Sequence, residues 1–335
     1  MKLPAILTSD LHLTANPEDA HRWGLFPWLA RECESERAET LVVLGDLTDA
    51  KDRHPAELVN RVVRSVQMLR ERVGRVIILK GNHDLLKDGH TFFQFLDALD
   101  GVEVISRPTE DVIVGGAACV FLPHTRTPAA DWRDSDFSHF DYLFMHQTVT
   151  GARAGNGQGL TGESLPALNA GKVYSGDVHV PQTVGPVEYV GSPYHVHFGD
   201  AFEPRCIAID RDRRAFDLRF PTVRRLMLDV SGEEGVQQVV RLSDGDQVKL
   251  RVHLSESDRH RWRELRRLYE TACSDAGVML CGLELRVAKS RLRVAAGDRP
   301  AAMFGPGEAV LEFVEGDGLG GELLDAGLEC LEGGR

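Results

Sequence analysis

Short apolar runs alternate with an amphipathic stretch along the first hundred residues of the chain. Residues 3–8, 40–44 and 75–79 form nearly continuous apolar runs of a length typical of buried strands. Between the second and third runs, apolar side chains recur at helical spacing over residues 56–72, at Leu58, Val62, Val63, Val66 and Leu69. Strands that alternate with helices in this way predict βαβ units.

The rest of the chain is richer in strand-like runs, and the pattern changes after residue 221. The predicted strands that follow residue 101 are 102–105, 111–114, 117–122, 142–145, 173–174, 187–190 and 206–209, with a glycine-rich loop at 153–162. Beyond residue 221, strand-like runs occur at 226–230, 247–253 and 282–287, with a helical pattern at 258–276. We therefore predict a domain over 1–222, a small α+β domain over 223–300 and a tail over 301–335.

Composition and charge exclude several classes of protein. Of the 335 residues, 42% are hydrophobic, which is too many for a disordered chain. No apolar run approaches the roughly 20 residues that a membrane span needs. The formal net charge of −12 argues against coating of nucleic acid by bulk charge. However, the charge is unevenly distributed: residues 223–300 carry 15 basic and 12 acidic side chains, whereas 301–335 carry eight acidic and one basic. A local basic patch within 223–300 could therefore still bind nucleic acid.

The N-terminus and the cysteines bear on the expected compartment. The first eight residues are too short an apolar stretch for a signal peptide, and the six cysteines contain no Cys-x-x-Cys pair. Several cysteines lie in strand-like runs, where cysteine behaves as a small hydrophobic residue. We therefore expect reduced thiols and a cytoplasmic protein that does not associate with a membrane.

Side chains that can bind metal ions follow five of the predicted strands. They are Asp10, His12, Asp46, Asp49, Asn82, His83, Asp84, His146, Asp177 and His179. Because strand ends in an open α/β sheet meet at one crevice, we expect these side chains to lie together. Imidazole combined with hard oxygen ligands suits Mn²⁺, Fe²⁺ or Zn²⁺. One carboxylate that bridges two such ions would form the clamp used in phosphate-ester hydrolysis.

The order of these residues resembles the motifs of the calcineurin-like metallophosphoesterase superfamily over roughly residues 1–220. The chain has Asp-x-His at Asp10, Gly-Asp-x-x-Asp beginning at Gly45, Gly-Asn-His-Asp beginning at Gly81, and a single histidine at His146. The resemblance implies an α/β fold, namely a four-layer α/β/β/α sandwich with a small α+β capping domain. It also implies two bound divalent metal ions.

The resemblance further implies a role for each residue of the site. The first metal would take Asp10, His12 and His179, Asp46 would bridge, and the second would take Asn82, His146 and the residue at position 177. His83 is implied to stabilise the transition state or to protonate the leaving oxygen, with Asp84 orienting it. Position 177 departs from the family, which usually has histidine there, whereas this chain has Asp177. This carboxylate either coordinates directly, turns away or binds through water.

Within the superfamily, the chain is most similar to nuclease subunits of the SbcD type. The similarity lies in three segments: His146-Gln147-Thr148, Asp177-Val178-His179-Val180-Pro181-Gln182, and Gly191-Ser192-Pro193 with Phe198-Gly199-Asp200. It implies exonuclease and endonuclease activity in DNA repair and recombination, with Mn²⁺ favoured over Mg²⁺, Fe²⁺ or Zn²⁺. It also implies a homodimer and an SMC-like ATPase partner of the SbcC type. The modest length is similar to that of compact phage-encoded relatives, for which the location would be the host cytoplasm.

The same motifs leave other functions open. A small-molecule phosphodiesterase or pyrophosphatase would use the same metal core. A non-catalytic scaffold for the ATPase would follow if Asp177 made the site degenerate. A protein phosphatase is disfavoured, because that family extends its Gly-Asp-x-x-Asp motif with Arg-Gly, where this chain has Ala50-Lys51, and has glutamate in place of Asp84.

Five arginines lie close together near the start of the last predicted helix: Arg259, Arg261, Arg263, Arg266 and Arg267. They would either bind DNA phosphates through charge-assisted contacts or form a solvated face paired with Glu264 and Glu270. Several further residues have two interpretations. For His195 and His197, we expect a position on a strand face near the DNA entrance rather than a role as metal ligands. Asp49 either supports the bridging residue or caps a turn. For His124, we expect a place in a loop rather than in the lining of the cleft.

Overall fold

The computed structural model describes residues 4–86, 89–162, 165 and 168–287. The strands, in chain order, are β1 (Ala5–Thr8), β2 (Thr40–Val43), β3 (Arg75–Leu79), β4 (Val102–Ile105), β5 (Thr109–Val114), β6 (Ala117–Leu122), β7 (Tyr142–His146), β8 (Lys172–Gly176), β9 (Gln182–Val184), β10 (Val187–Tyr189), β11 (Cys206–Ile209), β12 (Ala215–Leu218), β13 (Arg225–Ser231), β14 (Gln247–Leu254) and β15 (Met279–Val287). The α-helices are α1 (Leu25–Glu36), α2 (Ala56–Arg72), α3 (Pro128–Asp131), α4 (Glu234–Val240) and α5 (Trp262–Asp275), with 3-10 helices at Pro17–Gly24, Phe92–Ala98 and Arg259–Arg261. The predicted tail 301–335 and residues 288–300 of the predicted α+β domain lie outside the described residues.

The first sheet has six strands in the order β12-β11-β1-β2-β3-β4. Strands β1 to β4 are parallel, and β11 and β12 extend the sheet with antiparallel pairs. Helices α1 and α2 pack on its outer face. Helix α2 buries four of the five apolar positions that predict it, namely Leu58, Val62, Val66 and Leu69. Its bounds match the sequence prediction, because period-3.6 patterning marks a surface helix clearly.

The second sheet has the order β5-β6-β7-β8-β10-β9, and its four central strands are parallel. Alternate residues such as Phe121, Phe144 and Tyr174 pack against the inner face of the first sheet, including Leu7 and Val42. The opposite face packs against irregular segments and the region of α3. Two packed sheets with parallel centres and flanking helices confirm the predicted α/β class.

A third, smaller sheet contains β13, β14 and β15, which are all parallel. Parallel neighbours need crossover connections, and α4 and α5 supply them. Val230, Val248, Val252, Leu265 and Tyr269 are buried between this sheet and its helices. The predicted helix 258–276 is the 3-10 turn Arg259–Arg261 followed directly by α5.

Five cysteines lie in the described residues, and all five are free. Burial raises the pKa of the Cys33 and Cys206 thiols to about 12, so these thiols remain protonated and unreactive at neutral pH. Cys330 lies outside the described residues. Among the helices that the structure describes, none has both the length and the apolar character that crossing a membrane requires.

Candidate metal centre

The predicted site residues lie at the carboxyl ends of central strands from both large sheets. Asp10 and His12 follow β1, Asp46 follows β2, Asn82 follows β3, His146 ends β7, and Asp177 and His179 follow β8. Four of these non-glycine residues have a positive φ: Asp10 at 55°, His12 at 41°, Asp46 at 54° and Asp177 at 78°. Such backbone conformations persist only where the surrounding structure holds them, and they cluster at functional sites.

Two glycines let the strand exits approach one another. Gly45 has a φ of 96°, and a Cβ atom there would overlap the ring of His146. A Cβ atom at Gly81 would overlap the carboxylate of Asp46. Both glycines precede proposed ligands, so a side chain at either position would displace the neighbouring site residue.

Asp46 lies between two histidines that come from different sheets. Its Oδ2 atom is 3.4 Å from His12 Nε2, and its Oδ1 atom is 3.4 Å from His146 Nε2. Each carboxylate oxygen therefore faces a different imidazole nitrogen. This is the placement that a carboxylate needs to bridge two cations.

One group of potential ligands consists of Asp10, His12 and His179, whose ligand atoms all lie within 4.8 Å of one another. The Nε2 atoms of His12 and His179 are 3.0 Å apart. Burial lowers the pKa of His12 to about 4 and that of His179 to about 2. Both rings are therefore neutral at physiological pH, which is the form that binds metal ions.

A second group surrounds His146 Nε2. Asp10 and Asp46 share a potential ligand cluster with His146. Asn82 Oδ1 lies 3.3 Å from His146 Nε2, and Asp177 Oδ1 lies 3.6 Å from it. The other carboxylate oxygen of Asp177 accepts a hydrogen bond of 2.5 Å from the Thr148 hydroxyl. The structure thus places an oxygen of Asn82 and an oxygen of Asp177 near the same imidazole nitrogen.

The remaining ring nitrogens fix the tautomers of two proposed ligands. His146 Nδ1 donates to the carbonyl oxygen of Leu44 at 2.5 Å, and His12 Nδ1 donates to Asp49 Oδ1 at 3.3 Å. These bonds leave both Nε2 lone pairs directed toward Asp46. Metal-binding histidines almost always donate their other N–H in this way. Asp49 therefore supports a proposed ligand, and its hydrogen bond with His12 lowers the pKa of the Asp49 carboxyl.

The charges of the site fit two divalent cations. Asp10 Oδ2 is buried and has no hydrogen-bond partner among the described residues. Burial raises the pKa of Asp10 to about 7, and burial followed by the nearby Asp84 raises that of Asp46. Buried carboxylates without compensating partners are costly, and cations would compensate them. Carboxylate, amide and neutral imidazole ligands together suit Mn²⁺, Fe²⁺ or Zn²⁺.

The expected pairing of Asp84 with His83 is wrong. The Asp84 carboxylate instead accepts the backbone N–H groups of Asp46 and Gly81 at 2.8 Å and of Leu47 at 3.3 Å, so it ties the exits of β2 and β3 together. The His83 ring donates from Nδ1 to the carbonyl oxygen of Asp49 at 2.7 Å. The Asp84 side chain is buried beneath the loop, where its oxygens contact backbone amides, whereas the His83 ring is partly exposed.

Three other histidines occupy positions that the sequence left open. His195 and His197 lie in an irregular segment, so the predicted strand face is wrong. His195 is buried and donates to the carbonyl oxygen of Phe202 at 2.9 Å, whereas the exposed His197 ring stacks on His179 with centroids 5.3 Å apart. His124 lies beside the site, with its ring centroid 6.3 Å from that of His146.

Three of the five arginines near α5 form ion pairs within the described part of the chain, and two do not. Arg259, Arg261 and Arg266 form ion pairs with nearby glutamates, at distances of 3.5 Å to Glu256, 2.8 Å to Glu233 and 2.8 Å to Glu270. Arg263 and Arg267 are exposed and have no ion pair among the described residues. The solvated-face interpretation therefore describes three of the five side chains, while two remain available to an anion.

The sequence motifs do not identify Arg22, whose side chain contacts the backbone of the proposed ligand His12. Its guanidinium is buried and donates to the backbone carbonyl of His12 and, at 3.1 Å, to that of Val196. Burial lowers the pKa of Arg22, and Asp19 pairs with it at 2.9 Å. The only sequence signal is an isolated arginine within an otherwise ordinary amphipathic stretch, which does not reveal burial.

Comparison with known proteins places this arrangement in a family. A search of curated proteins found no significant match. Among solved structures, nuclease MPE of Pseudomonas putida is 15% identical with a TM-score of 0.33, and the match covers 64% of this chain and 87% of that one. The phosphoesterase Yfce of E. coli is 16% identical with a TM-score of 0.35, and the match covers 64% and 98%. The profile of the calcineurin-like phosphoesterases matches residues 3–181, which is more than half of the chain, and the protein therefore belongs to this family of metal-dependent phosphoester hydrolases.

Proposed function

We propose that the protein is a dinuclear-metal-dependent DNA nuclease with exonuclease and endonuclease activity. The observation that carries the two-metal part is the position of Asp46, whose two oxygens face His12 and His146. The DNA part is supported by the motifs of the SbcD type that begin at His146 and Asp177. Both motifs contribute residues to the candidate metal centre.

The candidate residues would form two ligand sets around Asp46. Asp10, His12 and His179 would hold one ion, and Asn82, His146 and Asp177 would hold the other. When bound, two divalent cations supply positive charge to the phosphate oxygens and lower the pKa of an attacking water. The Leu44 carbonyl and the Asp49 carboxylate keep the rings of His146 and His12 oriented toward Asp46.

His83 is the residue that we assign to the leaving group. Its side chain is 29% exposed, and its ring packs edge-on against His12 with centroids 4.7 Å apart. Nδ1 is occupied by the Asp49 carbonyl, so Nε2 is the nitrogen left to donate to the departing oxygen. The Asp49 carboxylate lies 3.9 Å from the same Nδ1 atom.

A groove beside the site supports a polymeric substrate over a small molecule. A cavity of about 390 Å³ extends from Asp49 to the third sheet and is lined by Lys249 and Phe198. The Lys249 ammonium lies 4.3 Å from the centre of the Phe198 ring. The Lys249 ammonium, which covers one face of this ring, would supply positive charge to a phosphate in the groove. The exposed Arg263 and Arg267 would add phosphate contacts on α5.

The physiological setting is proposed from the sequence motifs alone. By their resemblance, the nuclease would act in DNA repair and recombination as a homodimer with an SMC-like ATPase, and Mn²⁺ would be its preferred metal. Its location would be the cytoplasm, or the host cytoplasm if a phage encodes it. The predicted tail 301–335 would contribute to partner contact.

The test is cleavage of end-labelled duplex and single-stranded DNA by the full chain, with Mn²⁺, Mg²⁺, Fe²⁺ or Zn²⁺, with and without the ATPase. We expect Mn²⁺-dependent cleavage of DNA, with Asp46→Asn as the inactive control. Hydrolysis of pyrophosphate or a chromogenic diester without any cleavage of DNA would identify a small-molecule phosphodiesterase instead. Binding of two metal ions with no hydrolysis of any substrate would identify a non-catalytic scaffold.

A further inference from the structure

A second cavity, distinct from the groove at Lys249, adjoins the metal centre on the side of His146. Its volume is about 460 Å³, which is within the range of small-molecule sites. Lys80 follows β3, Arg107 follows β4 and His124 follows β6, and all three line it. The cavity therefore lies at the carboxyl ends of strands, where α/β sheets bind ligands.

The cavity shares structural elements with the metal centre. Lys80 directly precedes the Gly-Asn-His-Asp loop, and its carbonyl oxygen accepts a hydrogen bond of 2.9 Å from the backbone N–H of His124. The His124 ring is in turn 6.3 Å from the His146 ring, measured between centroids. A ligand that contacts His124 in this cavity would thus lie one side chain away from the proposed metal ligand His146.

The charged side chains around the cavity favour an anion. Three cations line it, namely Lys80, Arg107 and Arg126, against one carboxylate, Asp131. That carboxylate is engaged by the hydroxyl groups of Thr125 and Thr127. Neither Arg107 nor Arg126 has an ion pair among the described residues. This concentration of positive charge occurs in a chain whose net charge is −12.

The interior of the cavity has hydrogen-bonding capacity that the protein does not use. The Lys80 side chain is almost fully buried, and its ammonium donates to the Gly89 carbonyl at 3.0 Å. An ammonium has three donors, so further donors remain for a ligand. His124 Nδ1 is buried and has no partner within the described part of the chain. Buried polar groups normally have partners, and phosphate oxygens would supply them here.

We propose that this cavity is a second phosphate subsite, in which Lys80, Arg107 and Arg126 bind the phosphate adjacent to the scissile one. The assignment rests on the proposed action on nucleic acid, and it identifies the preferred substrate as one with at least two phosphates. The ligand is a phosphate group, which would come either from the end of the substrate or from its backbone. Apolar side chains on the wall, such as Leu85 and Pro108, would contact the attached sugar or base.

The test compares substrates that differ in their number of phosphates. These are bis(p-nitrophenyl) phosphate and dTpdT, with one phosphorus each, then pdTpdT, with an added terminal phosphate, and dTpdTpdT, with an added backbone phosphate. We expect kcat/KM for a substrate with two phosphates to exceed that for dTpdT by about tenfold or more, as a charge-assisted contact would give. A gain with pdTpdT alone identifies a terminal phosphate as the ligand, and a gain with dTpdTpdT identifies a backbone phosphate.

The variants are the double substitution Arg107→Gln with Arg126→Gln, and Arg64→Gln on α2 as a control that does not line the cavity. We expect the double variant to lose the tenfold gain while retaining hydrolysis of bis(p-nitrophenyl) phosphate, and the control to behave as the wild type. Binding of a fluorescein-labelled pdTpdTpdT to metal-free protein should weaken in the double variant by a similar factor. This binding measurement does not depend on turnover.

Several results would overturn the proposal in distinguishable ways. Equal kcat/KM values for dTpdT and the longer substrates, with active wild-type protein, would refute the subsite and leave the nuclease proposal standing. A gain that survives in the double variant would also refute it, because the phosphate would then be recognised elsewhere. Loss of activity on bis(p-nitrophenyl) phosphate in the double variant would assign the arginines to the metal centre instead. Hydrolysis of that diester without any hydrolysis of oligonucleotides would refute both proposals.

Discussion

Arg225 Nη2 and Asp19 Oδ1 lie 2.5 Å apart in a buried ion pair, although 206 residues separate them in the chain. Arg225 begins β13 in the third sheet, whereas Asp19 lies in the 3-10 helix after β1. Asp19 also pairs with Arg22, which donates to the backbone carbonyl of His12. The third sheet is therefore connected to a proposed metal ligand through two ion pairs that share one carboxylate.

Removing the shared carboxylate should be strongly destabilising. In Asp19→Asn, two buried guanidinium groups lose their counter-ion, which we expect to lower the free energy of unfolding by about 3–5 kcal/mol. Urea denaturation of the two proteins measures this difference. Glu203→Gln is the matched control, because Glu203 pairs with Arg219 at an exposed position and such pairs contribute at most about 1 kcal/mol. Similar losses in both variants would contradict a structural role for the buried pair.

The pair of Arg225 and Asp19 is a contact that the sequence does not predict. The clustering of Asp10, Asp46 and His146 could be predicted, because each lies at the end of a recognisable strand and strand ends meet at one crevice. The contact of Arg225 with Asp19 depends on how the third sheet packs, and no local pattern encodes it. Local patterns likewise do not show that Asp84 reaches backbone amides of two loops.

Secondary structure is not predicted where the hydrophobic periodicity of an element is interrupted or absent. The alternating pattern gives no bounds for helix α1, which contains Pro27 within its first turn. Proline is tolerated there because the N–H groups of the first turn have no partner within the helix. In contrast, α2 has regular apolar spacing, and its predicted bounds are confirmed. The sequence pattern also does not predict the short strands β9 and β12, because β9 is half-buried and β12 is largely exposed, so neither forms an apolar run.

Substitution of His83 should separate catalysis from metal binding. We expect His83→Ala to retain both metal ions and its thermal stability while losing about 10²–10⁴-fold in kcat, because we assign its ring to proton donation to the leaving group. Metal content by mass spectrometry and cleavage of end-labelled DNA measure the two effects. His139→Ala, which removes an exposed histidine remote from the motifs, is the control. Full activity in His83→Ala would remove this residue from the mechanism.

His21 should make the protein less stable in acid. Burial, assisted by the charges of Arg225 and Arg22, lowers its pKa to about 4, whereas an unfolded histidine has a pKa near 6.5. Between these values the unfolded chain binds a proton that the folded chain does not, so the free energy of unfolding falls as the pH falls.

The substitution His21→Gln removes that proton uptake. The difference in free energy of unfolding between variant and wild type should therefore move in favour of the variant when the pH is lowered from 8 to 5. Urea denaturation of both proteins at the two pH values measures this change, and contributions from all other groups cancel. A difference that is the same at both values would show that His21 is protonated in the folded protein.

The two arginines of α5 without ion pairs should contribute more to DNA affinity than the paired ones. We expect the double substitution Arg263→Gln with Arg267→Gln to reduce the slope of log K against log salt by about two, as loss of two phosphate contacts would. Fluorescence anisotropy with labelled duplex DNA over a salt series measures the slope. The double substitution Arg261→Gln with Arg266→Gln is the matched control, because both side chains already pair with glutamates. Equal slopes in the two double variants would contradict this ranking.

Replacing Asp177 with the residue usual in the family tests whether the departure matters. Asp177 Oδ1 is 3.6 Å from His146 Nε2, so an imidazole at this position would reach the same ion. The φ of 78° is a conformation in which histidine, like aspartate, is comparatively common. We expect Asp177→His to fold, to bind two metal ions and to cleave DNA. Asp177→Ala should lose affinity for one ion, which isothermal titration with Mn²⁺ would detect as a weakened second site. If Asp177→His also lost that ion, the carboxylate itself would be required, because its second oxygen is fixed by Thr148 in a way that imidazole cannot reproduce.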